Sequence, residues 1–368
     1  VKIKKIIAMS TVAGVALAGL AFVSSASAEP VSNSYVLVGS DTLQDSTNAL
    51  VNGSSKSGAN VRVTYNSATL GSFDAFGTAA IQTRPNGPFF GRPAGSGAGV
   101  TALRASITGA AYTAANNTTP STSIVGQVDI ARSSGAPGAN ANANGLLLYV
   151  PYARDAVGYA YKGGTAAWAN ITAVQLKQIF DGTLTQIDGV AITPRLPQAG
   201  SGTRNFFLGA LGYSGTTAPG VNDTGNVTAE NDANAITAGQ IIPFSAASWI
   251  AQANGVTGLN STTSAGAAFG SPITSTPAFT GTAPALVPNT PFYANGTFGR
   301  DTYLVVERAR VTSGNAKFDA GLAAIVNPSI SNSLTNFGSL ASTPGALKKK
   351  FGFLAPSSAA PIPAYPAL

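Results

Sequence analysis

The sequence contains no cysteine and no histidine, and only one methionine and two tryptophans in 368 residues. Without cysteine there is no disulfide and no thiolate metal site. Without histidine the usual general base is gone, which excludes Ser-His-Asp and Cys-His catalysis. No cofactor and no metal ligand set is expected. Charge is scarce as well, at 10% of the residues, with 21 basic and 14 acidic side chains. No dense Arg/Lys stripe interleaved with aromatics is present, so no nucleic-acid partner is expected. The one basic run, Lys348-Lys349-Lys350, reads as a solvated helix end.

The first 28 residues read as a secretory signal peptide. Lys2, Lys4 and Lys5 precede an apolar stretch, and Ala26-Ser27-Ala28 fits a small-residue cleavage site. Its removal leaves 340 residues, with 18 basic side chains against 14 acidic ones. No cysteine follows the apolar stretch to carry a lipid. The expected product is therefore released or held non-covalently at the cell surface, is not membrane-spanning, and is monomeric. A chain of this length predicts two lobes rather than one core.

Strand and helix signals alternate along the chain, which argues for an α/β fold. SYVLVG (34–39) reads as a strand, and the following DTLQDSTNALV reads as a helix with Leu43, Thr47, Leu50 and Val51 on one face. Asp41 or Ser40 is its expected N-cap, with Gln44 completing a capping-box variant. VRVTYNS (61–67) alternates as a strand does. The aromatic run 146–164, broken at Pro151, predicts two strands or one long crossing strand. Leu176, Ile179 and Phe180 share a helix face that Gly182 should end. DTYLVVERARV (301–311) is the last clear strand signal, and 252–298 is expected to be mostly loop.

Small-residue turns recur at the predicted helix starts. They are Gly39-Ser40-Asp41-Thr42, Gly95-Ser96-Gly97-Ala98-Gly99 and Gly200-Ser201-Gly202-Thr203. A helix N-terminus exposes unpaired N–H groups and partial positive charge. Glycine lets a ligand approach the backbone, and the hydroxyls add uncharged donors, which together suit an oxyanion. Arg132-Ser133-Ser134 is a fourth candidate, where a guanidinium would add a charge-assisted contact. One such turn is ordinarily no more than a capped helix. Several in one chain point to convergence on a single anion.

The order of these segments resembles the phosphate-binding (PstS-like) proteins of ABC transporters, with the type II periplasmic-binding-protein fold. The resemblance spans about residues 34–311. It is carried by GSDT, RPAGSGAG, VDIARSSGAPG, VPYARDAVGYAY and above all ITAVQLKQIFDGT followed by AGSGTR. It looks closest to secreted actinobacterial members. It implies two α/β lobes with a ligand cleft between them. Lobe I would comprise 31–152 plus 246–355, lobe II 153–245, and 252–298 would be a loop-rich insertion in lobe I. It implies ligand contacts from Ser40, Thr42, Ser96, Gly97, Ser133, Ser134, Ser201, Gly202 and Thr203, and a permease as partner.

Two departures stand out. Ser134 occupies the place of a family aspartate that accepts a proton from phosphate, and Pro197 that of an arginine four residues before the GSGT serine. Arg132, Arg195 and Arg204 are the candidate replacements for the arginine. Asp41 is either the missing carboxylate or only a cap. The leading expectation is a non-enzymatic extracellular receptor for phosphate or a related oxyanion, with ABC-type uptake as the role it would serve. The alternatives are a secreted surface or matrix protein that keeps the fold with lost or changed ligand specificity, and an enzyme using paired carboxylates, Asp41 with Asp45 or Glu230 with Asp232.

Overall fold

A computed structural model describes residues 29–30, 34–115, 117–258 and 265–366. The signal-peptide reading falls outside the described residues. Among these, nine strands join one sheet. In chain order they are β1 (Tyr35–Gly39), β2 (Leu70–Ser72), β3 (Ile130–Ser133), β4 (Gly145–Lys162), β5 (Thr193–Pro194), β6 (Gln240–Ser245), β7 (Ala267–Gly270), β8 (Gly299–Glu307) and β9 (Ile362–Pro366). The helices are α1 (Gln44–Asn52), α2 (Ser96–Thr108), α3 (Ala173–Asp181), α4 (Gly202–Ala210), α5 (Ala246–Ala253), α6 (Thr290–Ala294), α7 (Arg308–Val311), α8 (Ala320–Ile325) and α9 (Pro344–Lys350).

The sheet is organised by β4, a single strand of 18 residues. Its first half pairs with β8 and β9, through residues 145–156. Its second half pairs with β6 and β7, through residues 157–162. The register with β8 shifts between Thr302 and Tyr303, which leaves Tyr152 opposite no partner. That bulge lies next to Pro151, where a strand without a donor N–H is tolerated.

Each half has its own pair of cores. On β1, Leu37 joins one apolar cluster with Leu50, Val150 and Leu304, while Val36 and Val38 join another with Phe90, Leu103 and Val305. Such alternation, with both faces buried, suits the parallel pairing of β1 with β2 and β3. Around the second half of β4, Val157 and Tyr159 pack with Leu176, Phe180 and Phe207. Ala156 and Ala160 pack with Ile242, Phe244 and Trp249 on the opposite face. The result is the two-lobed α/β fold expected from the sequence.

Several local expectations are corrected. The 61–67 stretch forms isolated bridges at Val61 and Tyr65 rather than a strand, although Val61 and Val63 are buried. Neither Ser40 nor Asp41 caps α1; Leu43 holds that position without a side-chain bond. Gln44 instead accepts from the Ala75 N–H at 2.6 Å, so the capping box is absent. The segment expected as loop contributes β7 and α6. The last strand is β9, which carries Pro363 and Pro366, pairs with β4 and otherwise makes only a single bridge, to Ala141, among the described residues. Proline is tolerated there because the strand is at an edge.

The Lys348-Lys349-Lys350 run also departs from its solvated reading. Lys348 is fully buried. Its Nζ donates to the Tyr152 and Leu334 carbonyls at 2.8 and 3.0 Å and lies 4.2 Å from the Tyr152 ring centre. Burial holds its pKa well below the ordinary lysine value. The unfolded chain therefore binds this proton more tightly than the folded one. Stability should rise with pH between the depressed folded pKa and the ordinary lysine value. Urea unfolding across that window should show this slope in the wild type and lose it in Lys348→Met.

Candidate functional site

Three helix starts meet between the lobes. The Gly39–Thr42 turn leads into α1, Gly95 precedes α2, and Ser201 caps α4 by accepting from the Arg204 N–H at 3.0 Å. The second and third turns touch directly. The Gly97 N–H donates to the Gly200 carbonyl at 3.3 Å. Gly95 has φ of +107°, and a Cβ there would meet the Gly200 oxygen at 2.5 Å. A Cβ on Gly202 would collide with the Ser96 and Ser134 hydroxyls. Glycine is needed at both positions for the turns to close on each other.

The hydroxyls cluster around this contact. Ser96 Oγ lies 3.0 Å from Ser134 Oγ and accepts the Ser134 N–H at 3.0 Å. Thr42 and Thr203, from the first and third turns, are 3.3 Å apart through their Oγ1 atoms. Ser40 is wholly buried and its hydroxyl has no hydrogen-bond partner.

Into this cluster reaches the carboxylate of Glu230. Its Oε1 accepts from the Thr42 N–H at 3.3 Å and the Thr42 hydroxyl at 3.1 Å. Its Oε2 accepts from the Ser201 hydroxyl. The next residue, Asn231, has φ of +58°, a left-handed conformation that asparagine adopts more readily than most. Its side chain accepts from the Ser245 N–H at 3.0 Å and donates to Asp41 at 3.1 Å. Glu230 is thus fixed from the β6–α5 junction and spans the first and third turns.

Arg300, at the start of β8, is the cation of the site. Its Nη2 donates to Asp155 at 2.8 Å, to Thr203 Oγ1 at 3.0 Å and to Thr42 Oγ1 at 3.3 Å. Asp155 is fully buried and also accepts from Ser245 Oγ and the Ala247 N–H. Arg300 Nη1 has no partner although the residue is only 4% exposed. A desolvated arginine retains an unused donor beside two hydroxyls.

Two of the candidate arginines, Arg132 and Arg204, spend their side chains on other partners. Arg132 lies behind the first turn and is fully buried. It donates to the carbonyls of Ser40 and Phe73 and to Ser72. Burial pushes its pKa down to about 10, against the pull of Asp74 and Asp41. Arg204 follows Thr203 on α4 and points to the other side, where it pairs with Asp223 and donates to the Pro197 carbonyl at 2.9 Å. Ser133 turns its hydroxyl to the Gly135 carbonyl at 2.8 Å. Asp41 is not a cap. Burial first, then Glu230 and Asp45, raise its pKa well above the carboxylate range.

Sequence reasoning missed Arg300, Asp155 and Asn231, and placed Glu230 only as a candidate acid. The available signal was Asp155, a lone carboxylate inside an aromatic strand. Removing one partner of the buried Arg300–Asp155 pair strands the other charge. Arg300→Met should destabilise the fold by about 3–5 kcal/mol. Adding Asp155→Asn should restore most of that loss, as measured by denaturant unfolding.

No family model and no curated protein matches the chain. Solved structures do. An ABC-type phosphate transport receptor from Vibrio cholerae is 16% identical, covers 88% of this chain and 100% of its own, and superposes with a TM-score of 0.48. A putative phosphate ABC transporter substrate-binding protein with bound phosphate from Clostridium perfringens is 11% identical over 87% and 98%, with a TM-score of 0.49. A phosphate-binding protein from Stenotrophomonas maltophilia is 13% identical over 88% and 91%, with a TM-score of 0.47. These are proteins that the chain is similar to in fold; the two-lobed α/β architecture itself rests on the strands and cores described above.

Proposed function

We propose that this protein is an extracellular solute receptor that binds phosphate or a related oxyanion between its two lobes, without chemistry, and passes it to an ABC-type permease. The observation that carries this reading is Glu230. An oxyanion, here a carboxylate, already rests on the Thr42 N–H, the Thr42 hydroxyl and the Ser201 hydroxyl. Those donors are uncharged and stand at helix starts, which suits an anion that must be released again. Ser40 Oγ and Arg300 Nη1 supply unused donors. The contacts proposed are Ser40, Thr42, Ser96, Gly97, Ser134, Ser201, Gly202, Thr203 and Arg300. Asp41 provides the carboxyl group that the Ser134 turn lacks, so a proton-bearing anion finds an acceptor.

The same glutamate also favours a second reading, a secreted surface or matrix protein that keeps the fold after losing its ligand. A carboxylate fixed on the donors is then the permanent occupant. Calorimetric titration with phosphate, with sulfate as control, separates the two at pH values either side of phosphate's second ionisation. The receptor reading expects saturable phosphate binding, weakened about tenfold in Ser201→Ala through loss of one buried donor. Glu230→Ala should tighten it by about tenfold or more, since a competing charge is removed. Silence in both wild type and Glu230→Ala would leave the surface-protein reading standing.

A further inference from the structure

A cleft of about 530 Å³ opens beside the hydroxyl cluster. Its lining includes Ser96, Gly97, Gly202 and Arg300, which belong to the proposed oxyanion site. It also includes the aromatic side chains Phe206, Tyr149, Tyr303 and Tyr365. This space far exceeds what a single tetrahedral oxyanion fills. A receptor for the free anion alone has no use for it.

Arg300 touches both groups. Its guanidinium stands 5.3 Å from the centre of the Phe206 ring, while its Nη2 donates to the Thr203 hydroxyl at 3.0 Å and its Nη1 has no partner. The other charged group in the lining, Asp301, is tied to Arg154 at 3.1 Å and to the Ser357 N–H at 3.0 Å. Both charged groups in the lining are thus ion-paired, Arg300 with Asp155 and Asp301 with Arg154. Tyr149 and Tyr303 hold each other edge to face at 5.8 Å. Asn140 and Asn205 add amides to the same lining and are solvent-exposed. Asn140 donates to the Pro137 carbonyl at 3.3 Å and Arg104 lies over the Tyr365 ring at 4.6 Å. Aromatic side chains beside exposed amides suit a body with apolar C–H faces and hydroxyl edges.

We infer that the ligand is a phosphomonoester of a cyclic sugar, with its phosphate on the helix starts and Arg300 and its ring against the tyrosines and Phe206. This rests on the oxyanion reading above and narrows its substrate class. The test is titration of the full chain with inorganic phosphate, glucose 1-phosphate, glucose and adenosine monophosphate. Glucose 1-phosphate should bind at least about tenfold tighter than phosphate, and glucose should not bind, because the ring adds only what the cleft contributes. Asn205→Ala and Tyr365→Ala should each lower the ratio of the two affinities.

Phosphate binding as tightly as the sugar ester would overturn the inference and leave the oxyanion site standing. A preference that survives both substitutions would remove the cleft from recognition and overturn it too. Tighter binding of adenosine monophosphate than of glucose 1-phosphate would overturn the sugar assignment in favour of a base. Silence toward phosphate and both esters would overturn this inference together with the oxyanion reading.

Discussion

The ion pair between Arg300 and Asp155 underlies the site. Asp155 belongs to the strand that both lobes share, and Arg300 to the strand beside it. Burying two charges is expensive, and the cost is offset only when every remaining group is satisfied. Asp155 meets that condition by holding Ser245 and the first turn of α5. Arg300 meets it in part, by bonding the threonines of two facing turns. One pair thus fixes the crossing strand, a helix start and the hydroxyl cluster. Of this pair, only the Arg300 Nη1 atom is left without a partner.

The rest of the site is built from neutral donors. Backbone N–H groups and hydroxyls bind an anion without the desolvation penalty of further buried cations. Arg132 and Arg204 show what this chain does with its other arginines: one braces the carbonyls behind a turn, the other anchors α4 to Asp223. The carboxylates Asp41 and Glu230 then act against any fully ionised guest. Burial first, then the nearness of Glu230, keeps the Asp41 pKa well above the ordinary carboxylate range, so negative charge enters this cluster only if some of it is displaced or protonated.

The turns were legible in the sequence because helix starts obey local rules. Gly95, Gly200 and the hydroxyls beside them declare themselves within a few residues, and Gly182 ends α3 in the left-handed conformation that its position predicts. Arg300, Asp155 and Glu230 were not legible in that way. Arg300 and Asp155 stand 145 positions apart, and Thr42 and Glu230 stand 188 apart. No periodicity reports such distances. Lys348 was misread because a lysine cluster carries the same signature whether or not one member turns inward to carbonyls. The final strand was hidden by its prolines, which an edge position accommodates.

The continuity of the crossing strand has a mechanical meaning. A loop between lobes lets them swing, slide and separate. Here the connection is backbone already committed to hydrogen bonds on both sides of Pro151 and Tyr152. Sliding would break the register along the whole strand and turn its side chains to the wrong faces. Any movement of one half against the other must therefore bend or twist this strand where its partners change, between Ala156 and Val157, rather than slide along it.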